Sequence, residues 1–176
     1  MKGKSSRKNT LISLGLVPLA LLAMSGNAHA ADSTINITGT VVASPCTIEA
    51  VKNVDLSDID ATKLATTGSA STFINFGIAL SNCPATTTSA TATYSGTASN
   101  TDYYANSGTA KNVEVEVAST WSSLPMGNGA TQSVTIDAST HAASFNLKAR
   151  VRNDGKGSAA TPGTVSSAVQ VAVDYK

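Results

Sequence analysis

The strongest constraint on this chain is the alternation of side chains over its last fourteen residues, which begin at Gly163 and run to Lys176. Hydrophobic residues occupy every second position through most of this stretch, and small or polar residues lie between them. Successive side chains of a strand point to opposite faces of a sheet, so the pattern predicts a single extended strand with one buried face. The residues predicted on that face are Val165, Val169, Val171, Val173 and Tyr175.

A second alternating segment lies near the start of the chain. Its inward face is predicted to carry Ile35, Ile37, Gly39 and Val41, with threonine and asparagine between them. The two most regular strands therefore lie at the two ends of one domain. An unpaired strand edge is a row of open hydrogen-bond donors and acceptors, so we expect these ends to pair with other chains. The pattern indicates assembly rather than catalysis.

Residues 1–30 have the three zones of a secretory signal peptide: a basic start, an apolar run over residues 11–24, and the small-residue end Ala28-His29-Ala30. We expect cleavage before Ala31 and export of the mature chain. The apolar run contains Pro18 and is shorter than the roughly 20 residues that a membrane-spanning helix needs. No membrane span is therefore predicted, and the 146 residues that follow have the size of one domain.

The mature part carries eight basic and eleven acidic residues, a formal charge of −3. A basic surface for nucleic acid is therefore not predicted. Its two cysteines, Cys46 and Cys83, predict a disulfide in an exported protein. With His141 as the one mature histidine, there are too few soft ligands for a usual zinc site, and we expect no metal and no cofactor.

Between its ends, the mature chain predicts mostly strand, with a turn of helix around residues 56–64. Glu114 and Glu116 alternate with three valines, which predicts that they lie on the solvent face of a sheet. Seven or eight short strands separated by turn residues favour an antiparallel sandwich with an immunoglobulin-like arrangement. The internal strands are predicted at 47–51, 74–80, 90–95, 112–117, 133–136 and 144–151.

The sequence offers no convincing catalytic group. His141 lies in a polar stretch where a solvated turn is the preferred interpretation, so a Ser-His-Asp site is not predicted. Three aspartates at 55, 58 and 60 cluster, and we interpret them as a loop or capping turn rather than an acid–base pair. Trp121 and the pair Tyr103-Tyr104 are candidates for a sugar-binding surface, but packing in the core or at its rim is the favoured interpretation.

Several motifs together resemble the pilin subunits of bacterial chaperone–usher fimbriae. They are the alternating N-terminal extension with Gly39, the cysteines in VVASPCT and LSNCP, and the C-terminal strand with glycine fourteenth from the end and tyrosine penultimate. The resemblance covers essentially the whole mature chain. Within the family, ADSTINITGTVVASPCT and SGTASNTDYYANSGTAKNVEVEV are similar to a minor tip-fibrillum subunit of type 1 fimbriae.

The resemblance implies an all-β, incomplete immunoglobulin-like sandwich that is completed by a donor strand from another subunit. It also implies a periplasmic chaperone, an outer-membrane usher and neighbouring fimbrial subunits as partners, with the fimbrium on the bacterial surface as destination. The implied domains are a signal peptide over 1–30, a donor extension over 31–43 and a pilin domain over 44–176. Ile35, Ile37, Gly39 and Val41 would donate, and Gly163, Val165, Val169, Val171, Val173 and Tyr175 would form the accepting strand.

We therefore predict a non-enzymatic structural subunit of an adhesive fimbria, assembled by donor-strand exchange. The alternative is a carbohydrate-binding tip adhesin, and a third hypothesis is a secreted enzyme. An adhesin of this family carries an additional N-terminal lectin domain, for which 146 residues leave no room. The enzyme hypothesis is disfavoured because the mature chain has a single histidine, His141.

Overall fold

The computed structural model of the chain describes residues 38–40, 45–49 and 52–176. The predicted signal peptide lies outside this part. The chain divides into two units, Met1–Gly39 and Thr40–Lys176. Of the first unit, Thr38 and Gly39 are described, and both are exposed. The second unit contains all of the regular secondary structure discussed below.

The described part of the second unit is built from strands, with one 3₁₀ turn, Ala61–Leu64. Among these residues no helix is both long enough and apolar enough to cross a membrane. The strands are β1 (Thr47–Ile48), β2 (Ile74–Ser81), β3 (Ser89–Gly96), β4 (Tyr104–Ala105), β5 (Val113–Ser119), β6 (Thr131–Thr135), β7 (Ala143–Asn153) and β8 (Val169–Tyr175).

Two antiparallel sheets face each other across one core. The larger sheet has the order β1-β2-β7-β5-β4, and the smaller has the order β6-β3-β8. The hydrophobic core takes residues from both sheets, including Tyr94 of β3, Tyr104 of β4 and Phe145 of β7, all fully buried. Burial raises the pKa of the Tyr104 hydroxyl to about 12, and this hydroxyl donates to the Met126 carbonyl oxygen at 2.7 Å. The buried phenol is therefore satisfied, as a closed core requires.

The structure confirms most of the internal strands that the sequence predicted. The C-terminal strand is shorter than predicted. Its ladder begins at Val169, whereas the alternation predicted a strand from Gly163. Residues before Val169 bond instead to the loop around Asn106, where the Ser166 amide donates to Asn106 Oδ1 at 2.8 Å. β4 was not predicted, because two residues carry no periodicity. The predicted first strand, 47–51, is a strand over Thr47–Ile48, and residues 50 and 51 lie outside the described residues.

Glu114 and Glu116 correct a second prediction, because neither lies on a solvent face. Their residues are 3% and 4% exposed, although they alternate with the inward valines as predicted. β5 lies between β7 and β4, and the segment before β4 also reaches over it, since Asn100 Nδ2 donates to Glu114 Oε2 at 2.9 Å. Arg150 and Arg152 on β7 neutralise the two carboxylates. The outward face of this strand is therefore buried under polar partners instead of water.

Asp55 and Asp60 lie in the predicted loop and capping turn, and His141 lies in a turn as predicted but is half-buried instead of solvated. Asp60 caps the 3₁₀ turn by accepting from the Thr62 amide at 2.9 Å, and this hydrogen bond lowers the pKa of its carboxyl. Asp55 accepts from the Ser57 amide in the same manner. His141 is half-buried in a turn that begins at Asp137, whose carbonyl oxygen accepts from the His141 amide at 2.8 Å.

Candidate functional site

β8 forms one edge of the three-stranded sheet. It pairs antiparallel with β3 from Tyr175 opposite Ala90 to Val169 opposite Gly96. No described strand bonds to its opposite edge. A seven-residue strand with an unpaired edge is a template for another extended segment, because the open backbone groups are already aligned for a ladder.

The register shows which backbone groups lie on this free edge. Lys176 and Ser89 exchange both amide-to-carbonyl hydrogen bonds, at 3.0 and 3.1 Å. In an antiparallel ladder such mutually bonded pairs alternate with pairs whose N–H and C=O groups point away from each other. Counting back from Lys176, the residues that direct their backbone groups away from β3 are Val169, Val171, Val173 and Tyr175.

The same four residues direct their side chains towards the core. They are half-buried, and together with Val165 they pack against the hydrophobic cluster between the sheets. The residues between them, such as Gln170 and Ala172, are exposed on the other face. The free edge of β8 therefore combines open hydrogen-bonding groups with an incompletely covered apolar surface. We name this set, Val165 with the four β8 residues, the acceptor face.

Gly163 and Val165 contribute from outside the strand. A Cβ on Gly163 would lie 2.8 Å from the Cα of Ala110, so the chain passes the 109–110 backbone at a distance that only glycine permits. The Ala110 amide donates to the Thr164 carbonyl oxygen at 3.1 Å and secures this approach. Gly163 thus positions the segment that leads into β8, whereas the sequence placed it within the strand.

The predicted disulfide joins Cys46 to Cys83 and is confirmed. Cys46 directly precedes β1, Cys83 follows the end of β2, and both are buried. The Tyr175 hydroxyl, at the end of the acceptor face, receives a hydrogen bond from the Cys46 backbone, while burial raises its pKa. The disulfide therefore holds the segment before β1 beside Tyr175, the last residue of the acceptor face.

The predicted donor residues cannot be placed with the acceptor face. Ile35, Ile37 and Val41 lie outside the described residues, and Gly39 is exposed with no atom within 4 Å of an added Cβ. The donor role stays a prediction from the sequence.

A charged network on the outer face of the larger sheet was not predicted from the sequence. Arg152 Nη1 donates to Glu116 Oε2 at 3.0 Å and to the Tyr103 hydroxyl at 2.7 Å, and Arg152 Nε lies 3.6 Å from Glu114 Oε1. Arg150 Nε donates to Glu116 Oε2 at 2.7 Å. The available signal was the alternating acids on the predicted strand 112–117 and the bases Lys148 and Arg150 on the predicted strand 144–151, with Arg152 directly after it. Their register, Glu114 opposite Arg152 and Glu116 opposite Arg150, is a tertiary feature.

The aromatic residues divide between packing and exposure. Tyr104 is fully buried, as predicted, and Tyr103 is half-buried with its ring 4.1 Å from the Arg152 guanidinium carbon. The packing prediction is wrong for Trp121, which is 87% exposed. It lies in the turn that follows β5, so the size of its side chain did not predict its burial.

An antiparallel sandwich whose last strand presents an open apolar edge is an incomplete immunoglobulin-like domain of the pilin type. The family described as Fimbrial protein matches residues 35–176. Protein FimG of Escherichia coli (strain K12) is 38% identical over 163 residues, covering 92% of this chain and 96% of FimG. The chain belongs to the fimbrial protein family, and it is an exported subunit of surface fimbriae.

Solved structures support the fold independently of sequence. The P pilus rod subunit PapA matches 81% of this chain and 100% of its own, with a TM-score of 0.60 at 18% identity. A subunit of a chaperone–usher pilus matches 82% of this chain and 96% of its own, with a TM-score of 0.63 at 20% identity. The family match and the identity to FimG favour a structural subunit over a tip adhesin.

Proposed function

We propose that this fimbrial subunit is assembled by donor-strand exchange, with a structural rather than a catalytic role. A periplasmic chaperone would first occupy the acceptor face, and the N-terminal extension of a neighbouring subunit would replace it at an outer-membrane usher. The subunit's own extension, within residues 31–43, would in turn enter the acceptor face of the next neighbour. The domain boundaries predicted at residues 30 and 43 are part of this proposal.

The observation that carries the proposal is the free edge of β8. Four residues there present open backbone groups and half-buried apolar side chains at every second position. The predicted donor has four inward positions at the same spacing, Ile35, Ile37, Gly39 and Val41. A strand of this period can bond to the edge and cover the acceptor face, whereas a shift of one residue would turn its apolar side chains to solvent.

The burial energy is sufficient for a stable joint. Covering Ile35, Ile37 and Val41 at about 1.5–3 kcal/mol each gives roughly 5–9 kcal/mol as an upper estimate. The backbone ladder adds about 1 kcal/mol per bond, and its loss leaves buried groups unpaired. Gly39 would permit close approach of two backbones where a side chain would not fit.

The experiment is to move residues 32–42 behind Lys176 through a flexible linker. A tethered donor acts at high effective concentration, so the rearranged chain is expected to complete its own sheet and remain monomeric without a chaperone. The matched control carries Ile35→Asp and Ile37→Asp in the moved segment, and its melting temperature is expected to be clearly lower. Equal melting temperatures would contradict the proposal.

A complementary deletion separates folding from assembly. A chain lacking residues 32–42 keeps its acceptor face, so we expect it to bind the chaperone but not to enter the neighbour that takes its extension. Entry of this truncated chain into that contact, in an exchange assay with purified subunits, would show that the donor lies elsewhere.

A further inference from the structure

Trp121 is displayed on a hydrogen-bonded turn instead of being packed in the core. The Ser119 amide donates to the Leu124 carbonyl oxygen at 3.0 Å, and the Ser123 amide donates to the Ser119 carbonyl oxygen at 3.0 Å, which closes the turn. The Thr120 amide donates to the Asn146 carbonyl oxygen at 3.2 Å and ties the turn to β7. A turn closed by backbone hydrogen bonds therefore holds a large aromatic ring, 87% exposed, at the surface. Tryptophan is enriched among the residues that contribute most to binding, so this exposed ring and the surface beside it are a candidate site.

The exposed indole flanks a cleft on the side of the sandwich where β6 faces β7. This cleft is open, and the part of its lining that can form hydrogen bonds consists of neutral hydroxyl and amide side chains, with no charged residue. Apart from the Trp121 indole, its apolar lining consists of Ala143 and Val134. The polar lining residues are Ser119, Gln132, Ser133, Thr135, Ser144 and Asn146.

Two of these amides are already oriented by neighbours. The buried Tyr94 hydroxyl donates to Gln132 Oε1 at 2.8 Å, which leaves the two N–H donors of Gln132 Nε2 with no hydrogen-bond partner among the described residues. Asn146 Oδ1 accepts from Ser144 Oγ at 3.2 Å, and the missing side chain of Gly77 leaves room for both across the neighbouring strand. The hydrogen-bonding groups of the cleft are thus partly preorganised, which lowers the entropy lost on binding.

We propose that Trp121 and this cleft form a binding site for a neutral pyranose unit of a glycan. A flat aromatic ring packs against the apolar C–H face of a sugar ring, and neutral amides and hydroxyls match its hydroxyl groups as both donors and acceptors. A protein partner would call for a larger apolar lining around the tryptophan. An anionic sugar would call for a cation in the lining, where none is present among the described residues.

The site is independent of the acceptor face. β6 and β8 lie on opposite edges of the three-stranded sheet, with β3 between them. A strand added to β8 therefore leaves the cleft beside β6 open. The assembled fimbria could therefore bind sugar without affecting donor-strand exchange. A negative result for either proposal would leave the other standing.

The experiment uses the purified mature protein labelled with 5-fluorotryptophan. Trp121 is the only tryptophan of the sequence, so its ¹⁹F resonance is assigned as the one missing from Trp121→Phe even when a partner copurifies. The probes are the methyl glycosides of mannose, galactose, glucose and N-acetylglucosamine, with N-acetylneuraminic acid as the anionic comparison. Saturation-transfer NMR on the same probes measures binding to variants that lack the label.

We expect the Trp121 resonance to shift saturably with at least one neutral glycoside, with a Kd on the order of 1–10 mM. Trp121→Ala and Asn146→Ala are expected to weaken binding at least about tenfold, whereas Trp121→Phe retains most of it. Leu124→Ala is the matched control, because Leu124 is 61% exposed on the same turn but does not line the cleft. It should bind as the unmodified protein does.

Three results would overturn the proposal. They are no saturable shift with any neutral glycoside up to about 50 mM, equal binding by Trp121→Ala, and a preference for N-acetylneuraminic acid. A shift of the Trp121 resonance on adding a neighbouring subunit, without any response to sugars, would instead assign this surface to a contact within the fibre.

Discussion

Ser89 and Lys176 exchange both of their backbone hydrogen bonds, and this single pair determines which backbone groups of β8 remain open. Because mutually bonded pairs alternate along an antiparallel ladder, the odd-numbered residues from Val169 to Tyr175 direct their amides and carbonyls away from β3. These residues also carry the apolar side chains. One register thus gives the free edge both its hydrogen-bonding and its hydrophobic character.

Val171→Asp tests the apolar part of the acceptor face. A carboxylate at this half-buried position would lose water when a donor strand covers it, at a cost of several kcal/mol. We expect recovery of the subunit in complex with its chaperone to fall sharply, as measured by copurification from the periplasm.

Ala172→Asp provides the matched control, because Ala172 is the next residue on the same strand and its side chain is exposed on the opposite face. It introduces the same charge without desolvation and should leave chaperone recovery close to that of the unmodified subunit. If both variants behave alike, the acceptor face does not take an apolar strand.

Cys46→Ser is expected to destabilise the subunit through loss of the bridge to Cys83. The two cysteines are 37 residues apart in sequence, and closing such a loop stabilises by about 4 kcal/mol in the chain-entropy model. Urea unfolding of the rearranged chain described above, with and without this substitution, measures the difference. Mass spectrometry that finds two free thiols in the exported subunit would contradict the prediction.

Gly163→Ala tests the close approach that leads the chain into β8. A methyl group there would lie 2.8 Å from the Cα of Ala110. Its nearest neighbours are all backbone atoms of residues 109 and 110, so no flexible side chain can move aside. We expect a loss of stability of about 1–3 kcal/mol. Gly77→Ala is the control, because its nearest neighbour is the movable Ser144 Oγ at 3.0 Å. Thermal melting of the two variants should place Gly163→Ala clearly lower.

Arg152→Met is expected to be strongly destabilising. Arg152 contacts Glu114, Glu116 and Tyr103, and its removal leaves Glu114 buried without its cation. Breaking a buried pair in this manner typically costs about 3–5 kcal/mol. Lys156→Met is the comparison, because its ion pair with Asp154 involves a largely exposed lysine and should contribute about 0–1 kcal/mol. Similar unfolding free energies for both variants would contradict the importance of the buried network.

The pKa of Glu114 gives this network a pH dependence with a definite sign. Burial raises the pKa of its carboxyl above the ordinary value of 4.5, so the folded protein holds this proton more tightly than the unfolded chain does. The contribution of Glu114 to stability is therefore greatest below pH 4.5 and declines as pH rises through the folded pKa. Relative to the unmodified protein, Glu114→Gln should be more stable at pH 7 than at pH 4, measured by urea unfolding at both values. A constant difference would contradict the raised pKa.

The sequence by itself determined the strand content, the disulfide and the face of β8 that carries its apolar side chains. The strands and their faces follow from the alternation of neighbouring residues, and the disulfide follows from export, which the N-terminal residues indicate. The motifs around Cys46 and Cys83 and at the two ends of the chain also indicated the family correctly. The donor role of Ile35, Ile37, Gly39 and Val41 remains a sequence-based prediction.

Tertiary structure alone decided which edge stays open and which polar residues are buried. β8 became an edge strand because of the sheet order β6-β3-β8, which pairs residues far apart in sequence. Glu114 and Glu116 alternate with apolar residues in the pattern of a solvent-exposed sheet face, yet both are buried. Ion pairs with Arg150 and Arg152 on the neighbouring strand, and a hydrogen bond from Asn100, offset the cost of burying their charges. Trp121 is a large aromatic residue of the kind that packs in cores, but it lies exposed on a turn. Periodicity assigns a side chain to a face, and only the packing of distant segments decides what covers that face.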